Sequence, residues 1–460
     1  MTRVHFIGIG GSGLSAIARL LQESGYTVTG SDRAFSPFVA DLQSLGIRVH
    51  IGHQPENVVG AEMVVRSSAV PDDNPEVIAA RAAGIPVLKR ADFLGQLMQG
   101  KTGIAVAGTH GKTTTTAMFA WVLTALGQEP SFIVGGILTN LGVNARAGKG
   151  PTFVIEADEY DRMFLGLKPV IEVVTNVEHD HPDCYPTPED FFASFLDFVR
   201  LLPADGLLVA CADDPGAERL AEQARQLGTQ VATYGLMDDK TTAAIARNLT
   251  PNEKGGFAFE AVIGQKSFNV SLMVPGRHNV LNALAVLTVC DALHLPLVEV
   301  SAALGQFSGA GRRFELRGQA GGVTVYDDYA HHPTEIRATL AAARTRHPDQ
   351  RIWAVWQPHT YSRTRTLFEA FTRAFEDADE VIVTEIYRAR EPQQAFSALQ
   401  VVQAMPHPSA RFIAELSNVS DYLVSCLRPG DVLLVLSAGD AEQVSAQVLD
   451  RLQKSEVTHG

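Results

Sequence analysis

A glycine-rich stretch with a single lysine has the residue types and the spacing of a phosphate-binding loop. It runs Gly108-Thr109-His110-Gly111-Lys112-Thr113-Thr114 and follows an apolar segment, residues 103–107, that predicts a strand. Glycines let backbone N–H groups close on phosphate oxygens, and a helix that begins near Thr113 adds free amides and a positive dipole end. Lys112 can reach the β- and γ-phosphates of ATP, and the Thr113 hydroxyl can ligate Mg²⁺. Val106 replaces the leading glycine of the general pattern, so we predict a shortened ATP-binding loop.

Two acidic clusters follow the next predicted strands and could hold the metal. The strand at 152–156 ends in an acidic run that begins with Glu156, and the strand at 171–175 leads to a second run that ends at His181. Ligands in open α/β sheets sit beyond the carboxyl ends of the strands, so both clusters should lie near the phosphate loop. Any single acidic residue here could be merely solvated, and His181 could equally be a metal ligand or a polar loop residue.

A second glycine-rich turn, Gly8-Ile9-Gly10-Gly11-Ser12-Gly13, follows the first predicted strand, and Asp32 lies at the end of the second. This pattern is the dinucleotide-binding fingerprint, and alone it would favour an NAD-dependent dehydrogenase. Only about 90 residues precede the second strand series, which is short for a complete dinucleotide fold. The same turn can bind any diphosphate, including that of a nucleotide sugar, or it can be purely structural.

The elements that must position these residues alternate between short apolar strands and helical patterns, which predicts an α/β fold with parallel sheets. We expect a Rossmann-like domain over residues 1–95, a phosphate-loop ATPase-like α/β domain over 96–310 and a Rossmann-like domain over 311–460. A small β-hairpin at 257–262 and 267–273 would decorate the second domain. The other predicted strands are residues 4–8, 26–30, 63–67, 86–88, 206–210, 323–327, 352–356, 380–384 and 431–436.

Composition limits the classes of partner and the compartment. Hydrophobic residues make up 46% of the 460 residues and the net charge is −13, so the chain can bury several cores and nucleic acid is not expected as a partner. The four cysteines are scattered without metal or disulfide spacing, which favours free thiols. No stretch has the pattern of a signal sequence or of a membrane span, so we expect a cytoplasmic protein with no membrane partner.

Eight motifs together resemble the Mur ligase family. They extend from residue 5 to about residue 365 in the order of the family: HFIGIGGSGLSAIA, GTHGKTTTT, EADEYDRMFL, TNVEHDHPDCY, PGRHNVLNALA, GRRFE, DDYAHHPTEI and QPHTYSRTR. The resemblance implies an ATP- and Mg²⁺-dependent ligase of peptidoglycan precursor synthesis that joins L-alanine to UDP-N-acetylmuramate. ATP would phosphorylate the substrate carboxylate, and the amino group of L-alanine would attack the acyl phosphate to give an amide, ADP and phosphate.

The resemblance also implies a role for each site residue. The ATP site would comprise Gly108, Thr109, His110, Gly111, Lys112, Thr113, Thr114, Asn279, Asn282, Arg313 and Asp328. The UDP-sugar would be bound by Gly8, Gly10, Gly11, Ser12, Gly13, Asp32 and Ser67. L-Alanine would be bound by Tyr329, His331 and Arg363, and Mg²⁺ by Thr113, Glu156 and His181. The residues expected to act in catalysis are Lys112, Glu156, His181, Arg313 and Asp328.

The chain departs from family patterns at three places. Thr360 follows the QPH motif where several relatives have a second arginine, which leaves the alanine carboxylate more dependent on Arg363. Residues 188–200 contain no lysine, so we do not predict the carbamylated lysine that other Mur ligases use as a metal ligand. The motif at residues 156–161 reads EADEYD, so Tyr160 stands where the more familiar form EADESD has a serine.

Other functions stay open at the level of the sequence. Within the family, the nearest alternative joins a whole tripeptide to the same nucleotide sugar, although the QPHTYSRTR stretch favours the single amino acid. Outside it, the alternatives are the dehydrogenase and a phosphate-loop NTPase switch that acts as a binding module. The sequence does not predict an oligomeric state.

Overall fold

The computed structural model describes residues 2–237, 242–389 and 391–459, and it arranges them around three sheets. Helices cover both faces of the parallel parts of these sheets, so their central strands are continuous apolar runs. In the middle sheet, residues 103–107 and 171–174 are buried without interruption. The predicted α/β fold class is confirmed.

The first sheet has five parallel strands in the order β3-β2-β1-β4-β5. Its strands are β1 (Arg3–Ile7), β2 (Thr27–Asp32), β3 (Arg48–Ile51), β4 (Met63–Arg66) and β5 (Val87–Lys89). Its helices are α1 (Ser12–Glu23), α2 (Pro37–Ser44), α3 (Pro75–Ala82) and α4 (Arg90–Leu97), with a 3₁₀ turn at Pro55–Val58. The strand order changes direction at β1, and the glycine-rich turn follows this strand.

The middle sheet has ten strands in the order β15-β14-β13-β12-β11-β10-β6-β9-β7-β8, and its parallel part runs from β13 to β7. Its strands are β6 (Thr102–Ala107), β7 (Ser131–Leu138), β8 (Val143–Arg146), β9 (Thr152–Glu156), β10 (Ile171–Val174), β11 (Leu207–Cys211), β12 (Gln230–Gly235), β13 (Ala244–Pro251), β14 (Phe257–Ile263) and β15 (Lys266–Ser271). Its helices are α5 (Lys112–Ala125), α6 (Pro188–Val199), α7 (Pro215–Gln226), α8 (Arg277–Ala292) and α9 (Leu297–Leu304), with a 3₁₀ segment at Tyr160–Gly166.

The third sheet has six strands in the order β16-β17-β21-β18-β19-β20, of which only β16 is antiparallel to its neighbour. Its strands are β16 (Glu315–Ala320), β17 (Val323–Asp328), β18 (Ile352–Gln357), β19 (Glu380–Val383), β20 (Ala410–Phe412) and β21 (Val432–Ser437). Its helices are α10 (Pro333–Arg346), α11 (Tyr361–Thr366), α12 (Phe368–Thr372), α13 (Leu399–Ala404), α14 (Leu416–Cys426) and α15 (Glu442–His459).

Several strands are absent from the sequence-based prediction for local reasons. Gly135 and Gly136 interrupt the apolar pattern of β7, and Gly318 does so in β16. The predicted hairpin exists as β14 and β15, and it extends the middle sheet through β13 instead of standing apart from it. The domain boundaries at residues 95 and 310 stay predictions.

Two further expectations concern thiols and membranes. All four cysteines are free, as predicted. Over the described ranges, no helix combines the length and the apolar character that crossing a bilayer requires.

Candidate active site

The phosphate loop connects β6 to α5 at the carboxyl edge of the middle sheet. Gly108 has a φ of +134°, and a Cβ added there would collide with Thr175 Oγ1, so this position requires glycine. Gly111, with a φ of +82°, is the N-cap of α5. The Asn176 side chain holds the loop from the neighbouring strand end, because its Oδ1 accepts the His110 N–H at 2.8 Å and its Nδ2 donates to the His110 carbonyl at 3.1 Å. The loop backbone is therefore held in place by the protein itself.

Lys112 lies folded back over this loop. Its Nζ donates to the carbonyl oxygens of Gly108 at 2.5 Å and Thr109 at 3.1 Å, and to Glu159 Oε1 at 2.9 Å. Burial opposes the charge of the lysine, but the Glu159 carboxylate outweighs burial and raises the pKa of Lys112. The ammonium group thus stays charged at the point where phosphate oxygens would arrive.

The oxygen atoms predicted to hold Mg²⁺ meet next to the loop. Thr113 Oγ1 donates to Glu156 Oε1 at 3.0 Å, while Glu156 Oε2 accepts the Gly135 N–H at 2.7 Å. Arg313, which belongs to the linker before the third sheet, reaches the same hydroxyl with Nη2 at 3.4 Å. Two residues that are far from Thr113 in sequence, Glu156 and Arg313, therefore meet at its hydroxyl.

His181 stands on the other side of Lys112. Its backbone has a φ of +55°, and its Nε2 lies 3.4 Å from Glu159 Oε1, the oxygen that Lys112 also contacts. Burial would lower the pKa of His181, but Asp180 and Glu159 outweigh it and raise this pKa. The ring is also packed edge-on against Tyr160, with centroids 5.1 Å apart. The structure thus gives Tyr160 a place beside a predicted metal ligand.

A cleft of about 440 Å³ lies between the middle and third sheets and opens from the phosphate loop. Among the predicted ATP-binding residues, those that line it are His110, Gly111, Thr114, Asn279, Asn282, Arg313 and Asp328. The two asparagines share one face of α8, where Asn282 Nδ2 donates to Asn279 Oδ1 at 3.0 Å and Asn279 Nδ2 donates to the Pro275 carbonyl at 2.6 Å. The structure therefore brings together residues from the loop, from α8 and from the third domain.

Asp328 joins the linker to the third sheet. Its two carboxylate oxygens accept the N–H groups of Phe314 and Ala330, each at 2.7 Å. Burial raises the pKa of Asp328 to about 6. Because both oxygens bond to the backbone around Arg313 and Tyr329, this carboxylate positions the linker and the turn after β17 relative to each other.

The predicted alanine-binding residues surround the amino end of α10 and α11. Tyr329 lies beneath the Arg313 guanidinium, at 5.2 Å from the ring centroid, and contacts His331 edge-on at 5.4 Å. Burial lowers the pKa of His331 to about 3, so this ring is neutral. Arg363 is nearly fully buried and makes a bidentate ion pair with Asp180 of the middle domain, Nε to Oδ1 at 2.8 Å and Nη2 to Oδ2 at 3.2 Å. Arg363, which the sequence predicts only as a ligand of the amino acid, therefore also joins the middle and third domains.

His110 forms a second link between the same domains. Its Nε2 lies 3.0 Å from Glu178 Oε2, and its Nδ1 lies 3.2 Å from Oε1 of Glu335, which is on α10. Burial would lower the pKa of His110, but the two carboxylates outweigh it and raise this pKa to about 9. The histidine of the phosphate loop is thus a cation shared by carboxylates from both sides of the cleft.

The first glycine turn lies away from the cleft, at the carboxyl end of β1. Gly8 has a φ of +84°, and its N–H donates to the Ser31 carbonyl at 2.8 Å. Asp32 Oδ2 accepts the Gly10 N–H at 2.8 Å, so this carboxylate shapes the turn itself. The turn continues through Gly11 into Ser12, the first residue of α1. Ser67 borders the same turn, since its Cβ would lie 3.2 Å from a Cβ added at Gly8.

Arg90 was not predicted, and it lies against this turn. A Cβ added at Gly13 would come within 2.5 Å of Arg90 Nη1, so glycine at this position lets the guanidinium approach the start of α1. Arg90 Nε is buried and has no hydrogen-bond partner among the described residues. A half-buried guanidinium beside a glycine turn, with its Nε unpaired, is suited to bind a diphosphate.

Four further carboxylates have contacts in the site that the sequence did not predict individually: Glu159, Glu178, Asp180 and Glu335. The first three belong to the two acidic clusters, but the clusters alone do not show which carboxylate turns towards a partner. Glu335 could have been recognised as the third helical residue after His332, the position at which a glutamate completes a capping box.

Comparison with known proteins matches three consecutive parts of the chain to one family. The "Mur ligase family, catalytic domain" matches residues 3–102, the "Mur ligase middle domain" residues 106–290, and the "Mur ligase, glutamate ligase domain" residues 312–439. The chain belongs to the Mur ligase family. The family predicted from the eight motifs is confirmed, and the chain is accordingly an ATP-dependent ligase, not a dehydrogenase or a switch.

Relatives match over nearly the whole chain. The chain is 44% identical to UDP-N-acetylmuramate–L-alanine ligase of Geotalea daltonii, with 98% of each protein covered, and 48% identical to the protein of that name from Kineococcus radiotolerans, with 98% and 96% covered. The crystal structure of UDP-N-acetylmuramate-alanine ligase from Thermotoga maritima matches with a TM-score of 0.82 and 31% identity, covering 99% of this chain and 100% of that one. A murein peptide ligase from Psychrobacter arcticus matches with a TM-score of 0.73 and 25% identity, covering 98% and 99%.

Proposed function

We propose that this ligase joins L-alanine to the carboxylate of UDP-N-acetylmuramate, with conversion of ATP to ADP and phosphate, as a step of peptidoglycan precursor synthesis in the cytoplasm. The observation that carries the proposal is that Glu156 and Arg313 both contact Thr113, next to Lys112 in the phosphate loop. These groups come from two domains and would surround a transferring phosphoryl group. Full-length relatives that bear the name of this activity support the choice of substrates.

The reaction needs activation because a carboxylate is a poor acyl donor. Transfer of the γ-phosphoryl group to a carboxylate oxygen breaks the bond to ADP and forms an acyl phosphate. The amine of L-alanine then attacks the carbonyl carbon, an N–H proton is lost and inorganic phosphate leaves. Lys112 and Arg313 would offset the negative charge that is spread over the phosphoryl oxygens during the transfer.

The residues beside the loop fit a magnesium ion. Thr113 and Glu156 supply the hydroxyl and carboxylate oxygens that Mg²⁺ prefers, and His181 lies beyond Lys112 for a second ion position. Mg²⁺ would neutralise charge on the phosphates and orient them. Glu159 is 1% exposed and holds both Lys112 and His181, so it would position the two groups without itself reaching the nucleotide.

The two other substrates would approach from opposite domains. The first glycine turn and Arg90 would hold the diphosphate of UDP-N-acetylmuramate, because the turn offers backbone N–H groups and Arg90 offers an unpaired cation. On the third domain, Arg363 uses Nε and Nη2 on Asp180. Its Nη1, which also lies 3.1 Å from His359 Nδ1, and the neutral imidazole of His331 would bind the alanine carboxylate.

Release of phosphate from ATP tests the proposal directly. The purified protein would be given Mg²⁺, UDP-N-acetylmuramate and, in separate reactions, L-alanine, glycine, L-serine or the tripeptide. Release should require both the nucleotide sugar and L-alanine, with weaker activity on glycine or serine because a small pocket discriminates one added group only modestly. Release that needs no L-alanine, or that prefers the tripeptide, would refute the assignment.

Lys112→Ala separates ATP chemistry from sugar binding. Turnover should fall by about a thousandfold or more, whereas the affinity for UDP-N-acetylmuramate, measured by calorimetry, should change less than about threefold, because the two sites lie on different domains. Lys266→Ala is the control, since this lysine is exposed and, among the residues that the structure describes, pairs only with Asp291. Equal loss of turnover and of sugar binding in Lys112→Ala would contradict the division between domains.

A further inference from the structure

Three side chains from the two sides of the cleft form a cluster that the proposed reaction does not use. His110 Nε2 lies 3.0 Å from Glu178 Oε2, and His332 Nδ1 lies 3.9 Å from the same oxygen. One donor atom from each of the three side chains lies within 4.8 Å of the other two. Ligands at about 2.0–2.2 Å from a tetrahedral Zn²⁺ are about 3.3–3.5 Å apart. The cluster therefore already has nearly the dimensions of a metal site.

His332 is the member whose hydrogen bonding points to a ligand. The residue is 1% exposed, and its Nε2 has no hydrogen-bond partner among the described residues. Its Nδ1 accepts the Thr334 N–H at 3.3 Å, and the side chain is one half of the capping box that begins α10. A buried polar atom without a partner is costly, so a cation bound by this imidazole would relieve that cost.

We propose that His110, Glu178 and His332 form a binding site for Zn²⁺ or a chemically similar transition-metal ion, distinct from the magnesium site at Thr113 and Glu156. Two imidazoles and one carboxylate are the donor set that Zn²⁺ and its neighbours prefer, whereas Mg²⁺ prefers oxygen ligands alone. The fourth position would be filled by water. The site goes beyond the ligase reaction, because none of the three side chains exchanges a group or a proton with the substrates in that reaction.

The residues around the cluster have the arrangement expected of an outer shell. Glu335 Oε1 forms an ion pair with His110 Nδ1 at 3.2 Å, so this carboxylate can hold the ring from Nδ1 while Nε2 binds the metal. Thr334 Oγ1 donates to Glu178 Oε1 at 2.9 Å, which leaves Oε2 for the ion. Binding would replace the proton that lies between His110 and Glu178, so one proton leaves as the ion enters.

The position of the site predicts its effect on turnover. His110 and Glu178 belong to the middle domain and His332 to the third domain, so one ion would fasten both sides of the ATP cleft together. His110 also belongs to the phosphate loop, three residues before Thr113. A bound ion should therefore slow the opening that nucleotide exchange requires, and it should inhibit turnover even at saturating Mg²⁺.

The test is calorimetric titration of the chelator-stripped, full-length protein with ZnCl₂, without substrates, so that its outcome does not depend on the ligase assignment. Wild-type protein should bind one equivalent, and Co²⁺ should give the visible absorption of a four-coordinate site. His332→Asn should lower the Zn²⁺ affinity at least tenfold and lose the Co²⁺ band. Asparagine is a good helix N-cap, so this variant removes the imidazole while it preserves the start of α10.

A matched control exists on the same domain. His407 Nδ1 accepts the Ser409 N–H at 3.3 Å, the same contact that His332 makes with Thr334, but His407 lies outside the cluster. His407→Asn should leave Zn²⁺ binding unchanged. The proposal is overturned if His332→Asn binds Zn²⁺ as tightly as wild type. It is equally overturned if Glu156→Gln abolishes binding, because the ion would then occupy the magnesium site.

Discussion

The ion pair between Arg363 and Asp180 offers a quantitative test of how the domains assemble the active site. Arg363 is 4% exposed and Asp180 3% exposed, and they form two hydrogen bonds across the interface, at 2.8 and 3.2 Å. Asp180→Asn removes the charge and keeps the shape, so it leaves a buried guanidinium unpaired. Breaking a buried pair in this way costs about 3–5 kcal/mol. The docked arrangement of the two domains should lose most of this stabilisation.

The expected kinetic effect follows from that free energy. If turnover requires the docked arrangement, a loss of about 3 kcal/mol lowers kcat/KM for L-alanine by about 150-fold. Arg363→Gln should cost at least as much, because it removes the same pair together with the contact proposed for the alanine carboxylate. The double variant should be no worse than Arg363→Gln alone, so the coupling energy in the double-mutant cycle should equal the Asp180→Asn effect, about 3 kcal/mol.

The assay is steady-state phosphate release at saturating ATP and UDP-N-acetylmuramate with L-alanine varied. Asp183→Asn serves as the control, since Asp183 is exposed in the same loop and bonds the Tyr160 hydroxyl instead of Arg363; its kcat/KM should stay within about threefold of wild type. If Asp180→Asn also stays within threefold, or if the two single effects simply add, the ion pair does not hold the active arrangement and the reasoning fails.

Two further variants test other parts of the molecule. Arg90→Ala should raise the KM for UDP-N-acetylmuramate by about 10- to 100-fold, which is the effect of losing one charged hydrogen-bonding group. The KM for ATP should stay within about twofold of wild type. Equal changes in both KM values would contradict the place of Arg90 in the sugar site. His110→Gln should be about 3 kcal/mol less stable than wild type at pH 6 and nearly equal to it at pH 9.5. The reason is that the pKa of His110 is about 9 in the folded protein and about 6.5 in the unfolded chain, so its stabilisation is lost as the pH rises through 9. The measurement is denaturant unfolding in chelator-containing buffer. A deficit that does not vary with pH would show that the charge of His110 is not its source.

The sequence alone was sufficient for the fold class, the family and the strand, turn and helix that form the predicted phosphate loop. These features depend on local patterns: an apolar strand, glycines where φ is positive, as at Gly108 and Gly111, and a helix that begins at the lysine. The order of the parallel strands places both acidic clusters at one edge of the sheet, so even their proximity to the loop follows from general rules of α/β sheets.

Only the tertiary structure decided which members of these clusters act together. Asp180 and His181 are neighbours in sequence, yet Asp180 pairs with Arg363 of the third domain while His181 turns towards Glu159. Likewise, nothing local to Arg90 shows that it lies against Gly13. The contact of Asp180 with Arg363 depends on how two domains dock, and that of Arg90 with Gly13 on how distant parts of one domain pack. No periodicity within a single segment records either of them.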